Sequence, residues 1–193
     1  MNARIHNAIA PFLFAALAVG CAHTSASVPA AVHAPANTIE ATVVLAPASG
    51  SQVHGTLSLA PAGDGLMLRG TVEGLAPDSV HGFHIHERGD CSAADASSAG
   101  GHFNPGAAPH GRMGAGMHHA GDVDNLHADA EGVARVALHL PGLSLGDGGT
   151  DDVLGRAFVV HAAADDYRSQ PAGNAGARIA CGVIQVNQAS ATP

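Results

Sequence analysis

From Thr38 onward, short runs of alternating apolar and polar residues are separated by glycine, proline and aspartate. Thr38–Ala46 (TIEATVVLA) is rich in β-branched residues and is broken by Pro47-Ala48-Ser49-Gly50. Gln52–Leu59 places Val53, Gly55, Leu57 and Leu59 on one side of the alternation, and Leu66–Val72 does the same with Leu66, Leu68, Gly70 and Val72. Successive side chains in a strand point to opposite faces, so each run predicts a half-buried strand. Ser79–Glu87, Val123–Ala128, Gly132–Leu140, Leu154–His161 and Ile179–Val186 complete a set of about eight. Strands at this spacing with Gly-rich turns predict an all-β domain, an antiparallel sandwich or flattened barrel.

Residues 88–122 do not fit this pattern, and neither do 141–153 and 162–178. The first of these is dense in Gly, His, Ala, Ser and Asp. A structureless stretch of that length inside a compact domain needs something other than core packing to order it. A disulfide and a bound metal would both serve.

Composition narrows the picture. All eight basic residues are Arg, and the net charge is −8 with histidines neutral. That leaves no basic patch for nucleic acid and no polybasic segment for anionic lipid. Much of the 46 % hydrophobic content is Ala, which predicts a thin core of β-branched rather than aromatic residues. At the N-terminus, Arg4 precedes the apolar run Ile9–Gly20, which is too short to span a bilayer and fits a signal-peptide core. It ends at Leu17-Ala18-Val19-Gly20-Cys21, which resembles a bacterial lipoprotein signal, with Ala18 where Leu is usual. The expected organisation is a signal peptide over 1–20 and a flexible Ala/Ser/Pro linker over 21–37, starting at a lipidated Cys21. A single domain then covers 38–187 and a tail covers 188–193. The chain has three cysteines. If Cys21 carries lipid, Cys91 and Cys181 can pair in an oxidising compartment.

The histidines carry the candidate chemistry. His84 and His86 in Gly82-Phe83-His84-Ile85-His86 would share one strand face, with Phe83 and Ile85 on the other. His161 ends the apolar strand Ala157-Phe158-Val159-Val160. The long loop holds His102, His110, His118, His119 and Asp122. Three imidazoles and a carboxylate are a natural tetrahedral zinc set, and imidazoles without thiolates also suit Cu(II). There are too many imidazoles here for one tetrahedral ion, and two adjacent metals are the economical reading.

Taken together, GFHIHERGDC (82–91), SAGGHFNP (98–105), His119-Ala120-Gly121-Asp122, RAFVVHAAADDY (156–167) and GNAGARIACGVI (173–184) resemble the bacterial copper/zinc superoxide dismutases. The motifs occur in that family's order and cover about residues 38–187. The resemblance implies a Greek-key β-sandwich with long metal-binding and electrostatic loops. It implies copper on His84, His86, His102 and His161, and zinc on His102, His110, His119 and Asp122, with His102 bridging as an imidazolate. His118 lacks the family's spacing to Asp122, which His119 has. Cys91 and Cys181 match the family's disulfide, Arg178 its arginine beside the copper, and Asp165 its carboxylate linking His84 to His110. His81 would be structural, Glu87 and Asp166 scaffold, and His54, His127 and His139 solvated surface residues.

The implied activity is dismutation of superoxide in the periplasm by a membrane-anchored lipoprotein, with a homodimer as the expected assembly. His102 would relay a proton, and Arg178 would meet the anion. Because the chain is acidic and lacks Lys, a positive funnel would have to come from the metals, Arg178 and some of Arg88, Arg112 and Arg168. Two other readings are a periplasmic copper-buffering protein without activity and a dismutase-like scaffold that has lost copper. The linker histidines His23 and His33 are read as incidental.

Overall fold

The structure, a computed structural model, describes residues 39–187. The segment read as a signal peptide, Cys21, His23 and His33 lie outside the described residues. Eight strands appear in chain order: β1 Ala41–Pro47, β2 His54–Ala62, β3 Gly65–Glu73, β4 Val80–His86, β5 Asp122–His127, β6 Ala134–Pro141, β7 Ala157–His161 and β8 Arg178–Val186. All pairings are antiparallel, in the order β5-β4-β7-β8-β1-β2-β3-β6. The two end strands, β5 and β6, approach each other, so the sheet curls into a nearly closed barrel. Consecutive strands fail to pair at β3–β4, β5–β6 and β6–β7, the crossing connections of a Greek key.

The alternation read from sequence is the alternation of burial. In β3, Leu66, Leu68 and Val72 are buried while Arg69 and Glu73 are exposed. In β6, Ala134, Val136 and Leu140 point in, and Arg135, Ala137 and His139 point out. Strand β4 breaks the rule, because His81 through His86 are all buried. Its Phe83 and Ile85 enter the barrel core, and its histidines are covered by loops on the other side. The strand read as starting at Leu154 begins only at Ala157. Asp152 captures the Gly146, Gly148 and Leu154 N–H groups and holds that stretch as a turn.

The core differs from the expectation. Leucine is as prominent in it as Val and Ile together, and Phe83 and Phe158 stack with ring centroids 4.7 Å apart. Alanine misled the compositional reading because much of it is exposed in loops, at Ala94, Ala107, Ala115, Ala162, Ala163 and Ala164. A few alanines form a second, smaller cluster: Ala48, Ala96, Ala99 and Ala157 pack with Val159 around Cys181. There Cys91 and Cys181 form a disulfide across 90 residues of sequence, tying the start of the 88–122 loop to β8.

The stacked pair is the aromatic anchor beneath the histidine-bearing face of β4. Phe158→Ala is expected to lower folding stability by about 3–5 kcal/mol, read from guanidinium unfolding of the metal-free protein. A loss under 1 kcal/mol would show that this packing is not what holds β4 and β7 together.

Candidate metal centre

Strand geometry places the first two donors. His84 and His86 stand on one face of β4, two residues apart. Next to β4 runs β7, whose terminal His161 lies opposite Arg178 of β8 across a register shift. The 88–122 loop is then stitched onto β4 by backbone bonds. Glu87 N–H donates to Gly101 O (2.9 Å), Phe103 N–H to Ile85 O (2.8 Å) and Ile85 N–H to Gly121 O (2.8 Å). These bonds bring His102 beside His86 and place Asp122 at the start of β5, against His84.

Two clusters of buried ligand-type side chains result: His84, His86, His102 and His161, and His102, His110, His119 and Asp122. In the second, Asp122 Oδ1 lies 2.8 Å from His102 Nδ1, 2.9 Å from His110 Nδ1 and 3.1 Å from His119 Nδ1, and the His102 and His119 Nδ1 atoms are 3.3 Å apart. Four donors about 2.0 Å from a central ion in a tetrahedron are spaced about 3.3 Å apart, so the set fits zinc. In the first cluster, His86 Nε2 and His161 Nε2 are 3.4 Å apart. The buried His84 Nδ1 and His102 Nε2 have no hydrogen-bond partner among the described residues. Buried polar atoms are rarely left orphaned, and two aimed lone pairs in an all-imidazole set are what a copper ion would satisfy.

The outer ring nitrogens explain why the inner ones are free. His84 Nε2–H donates to Asp165 Oδ2 (2.8 Å), His86 Nδ1–H to Gly100 O (3.0 Å), His110 Nε2–H to Asp165 Oδ1 (3.0 Å) and His161 Nδ1–H to Gly176 O (3.3 Å). Each bond fixes the tautomer that leaves a lone pair facing the centre. Burial pushes His84 down to about 4, His86 to about 2 and His161 to about 3. All three are therefore neutral near pH 7, the form that binds metal. Burial alone would raise Asp122. Hydrogen bonds from His102 and from the Gly111 and His119 N–H groups outweigh it and hold the carboxyl well below its usual range.

Asp165 links the two clusters, with one oxygen on a histidine of each. Its position is reinforced by the Tyr167 N–H on Oδ1 (2.6 Å) and by the Asn125 side chain, which pairs with its backbone N–H and C=O (2.9 and 3.0 Å). Gly173 packs against this link at φ +64, where a Cβ would collide with Asp165 Oδ1 and lie 2.8 Å from His110 Nε2. Only glycine tolerates both the conformation and the space.

A cavity of about 370 Å³ opens onto His86, His102, His119 and His161 and is walled by Pro171, Ala172 and Arg178. Arg178 donates from Nη1 to Ala96 O (2.7 Å) and from Nη2 to Gly100 O (2.6 Å). Gly100 O thus receives both His86 and Arg178, which keys the guanidinium to the histidine beside it. Arg178 is the cation in this cavity's wall. Arg112 is paired with Asp124 (3.0 Å) and lies over the Tyr167 ring, and Arg88 lies 3.6 Å from Glu87. Each of these two guanidinium groups has a carboxylate beside it, which offsets its charge nearby.

The remaining residues singled out in the sequence are placed as follows. His81 is buried outside both clusters, donating through Nδ1 to His161 O (2.8 Å). His118 donates to His119 O (2.7 Å) and joins neither cluster, while His54, His127 and His139 are exposed. Asp166 accepts from the Arg168 and Ser169 N–H groups in a turn, and Glu87 Oε1 accepts from Gly101 N–H. The sequence reading missed Asn125, Gly100 and Gln170, which act on or through main-chain atoms and carry no motif signal.

Comparison with known proteins agrees with this geometry. The family model for copper/zinc superoxide dismutase (SODC) matches residues 53–184. The Cu-Zn superoxide dismutase 2 of Aquifex aeolicus is 42 % identical over 137 residues, covering 69 % of this chain and 80 % of its own. The Cu-Zn superoxide dismutase of Caulobacter vibrioides is 40 % identical over 136 residues, covering 68 % and 78 %. Among solved structures, a SOD-like protein from Bacillus subtilis is 41 % identical with a TM-score of 0.67, covering 73 % of this chain and 95 % of its own. With a matching model over most of its length and relatives at this identity, the chain belongs to the copper/zinc superoxide dismutase family.

Proposed function

We propose that this chain converts two superoxide anions and two protons into dioxygen and hydrogen peroxide. Copper would be held by His84, His86, His102 and His161, and zinc by His102, His110, His119 and Asp122. The observation that carries this reading is His102, whose Nδ1 belongs to one buried cluster while its orphaned Nε2 belongs to the other. Copper supplies the one-electron oxidation and reduction of successive superoxides, and zinc supplies charge without redox chemistry.

The chain's own residues do the rest. His102 belongs to both clusters, so with both ring nitrogens deprotonated it would serve the two ions together. Its Nε2, buried without a hydrogen-bond partner beside the cavity, would hold a proton there and pass it to an anion in the cavity. Arg178, anchored by two carbonyls, offers its remaining N–H groups and its charge to an anion in the cavity. Asp165 and Gly100 keep His84, His110 and His86 in the tautomers that ligate. A copper-buffering role would require neither a shared imidazole nor an arginine keyed to a ligand histidine. The reading extends to location. Export on the 1–20 segment with a lipidated Cys21 suits a domain whose disulfide forms in oxidising compartments.

Copper- and zinc-loaded protein is expected to remove superoxide in a pulse-radiolysis or xanthine oxidase assay, and His161→Ala to abolish it. Absence of metal-dependent removal by the unaltered protein would refute the proposal. Arg178→Ala is expected to lower the second-order rate roughly tenfold and to flatten its dependence on ionic strength. An unchanged rate and salt slope would remove the steering role. Cys21→Ser is expected to move the protein from the membrane fraction to the soluble one. Equal partition of both forms would rule out the anchor.

A further inference from the structure

Gln170 lies in the loop between β7 and β8 and belongs to neither ligand cluster. Its side-chain amide nevertheless pairs in both directions with the main chain of a residue 60 positions away. The His110 N–H donates to Gln170 Oε1 (2.8 Å), and Gln170 Nε2 donates to His110 O (2.9 Å). Nε2 also donates to Arg168 O (3.2 Å), which fixes the amide against its own loop. This is the two-bond pairing of neighbouring strands, made here by one side chain between two loops that share no ladder.

The target is specific. His110 is reached twice from the same loop: Asp165 holds its Nε2 (3.0 Å), and Gln170 holds its backbone. Asp165 fixes how the ring turns. It does not fix where the Cα sits; the adjacent Gly111 N–H is tied to Asp122 Oδ2 at the start of β5 (3.0 Å), but His110 itself belongs to no strand. The flanking stretch is rich in glycine, at Gly106, Gly111, Gly114 and Gly116, so it supplies little stiffness of its own.

We infer that Gln170 is a positioning residue for the zinc cluster, clamping the His110 main chain so that Nδ1 stays within bonding distance of the ion. The inference rests on the zinc assignment proposed above. It assigns a task to a side chain that touches neither metal set. A ligand whose backbone is held pays less ordering entropy on binding and departs more slowly.

The test is zinc release from the full chain loaded with both metals, followed by transfer to a chromogenic chelator. Gln170→Ala is expected to release zinc about tenfold faster than the unaltered protein, a factor equivalent to about 1.4 kcal/mol and within the net contribution of two hydrogen bonds. Gln170→Glu keeps the acceptor and loses the donor, and is expected to fall between. Val72→Ala, a core truncation in β3, which supplies neither ligand cluster, controls for general destabilisation and is expected to match the unaltered protein. With cobalt(II) in the zinc position, the visible d–d bands should shift in Gln170→Ala and not in Val72→Ala.

Release within twofold of the unaltered protein would overturn the inference. So would equal acceleration in the Val72→Ala control, or an unshifted cobalt spectrum. If the unaltered chain retains no zinc at all, the metal assignment falls and the clamp with it. Retained zinc with no effect of Gln170→Ala defeats the clamp alone.

Discussion

One imidazole has to satisfy two clusters at once, and most of the surrounding structure follows from that demand. His102 can present Nδ1 to Asp122 and Nε2 to the other histidines only if its Cα is placed to within a fraction of an ångström. The loop that bears it has no strand of its own. It borrows order from β4 through the bonds of Phe103 and Gly121 to Ile85, and from β8 through the Cys91–Cys181 disulfide. Strand β4 can lend that order because Phe83 and Ile85 are fixed in a packed core. The chain of dependence runs from aromatic stacking to strand, from strand to loop, and from loop to ring nitrogen.

The parts of this that were legible in the sequence are those with a local signature. Strand alternation shows in residues such as Leu66, Leu68 and Val72, and the donors sit in short motifs whose spacing survives reading one residue at a time. Partnerships made through main-chain atoms were not legible. Gly100 O, shared by His86 and Arg178, and the pairing of Asn125 with Asp165 leave no pattern, because a carbonyl is present at every position. Composition misled where it was averaged. Alanine counted toward a core that it mostly does not enter, and Arg112 and Arg88 counted toward a field that Asp124 and Glu87 cancel nearby.

That cancellation bears on how an acidic protein handles an anion. With a net charge of −8, the long-range field of the chain opposes superoxide. Attraction is local, at a cavity whose wall holds Arg178 and whose floor holds the two clusters. Low-dielectric walls focus such a field toward the opening, so a single well-placed cation can outweigh distant carboxylates. Salt screens the distant charges more than the near one, since the Debye length at physiological ionic strength is about 8 Å.

Asp165 gives the two metal positions a common thermodynamic fate. One carboxylate holds His84 with one oxygen and His110 with the other. An ion arriving at either cluster immobilises its own histidine, and through it the carboxylate, so the second ion finds part of the ordering already done. Linkage then requires the gain to be mutual: whatever factor zinc adds to the retention of copper, copper adds to the retention of zinc. Coupling of this sign would make half-filled molecules scarcer than two independent sites would leave them. A protein competing for scarce ions would gain by such coupling, because ions concentrate in molecules that already hold their pair.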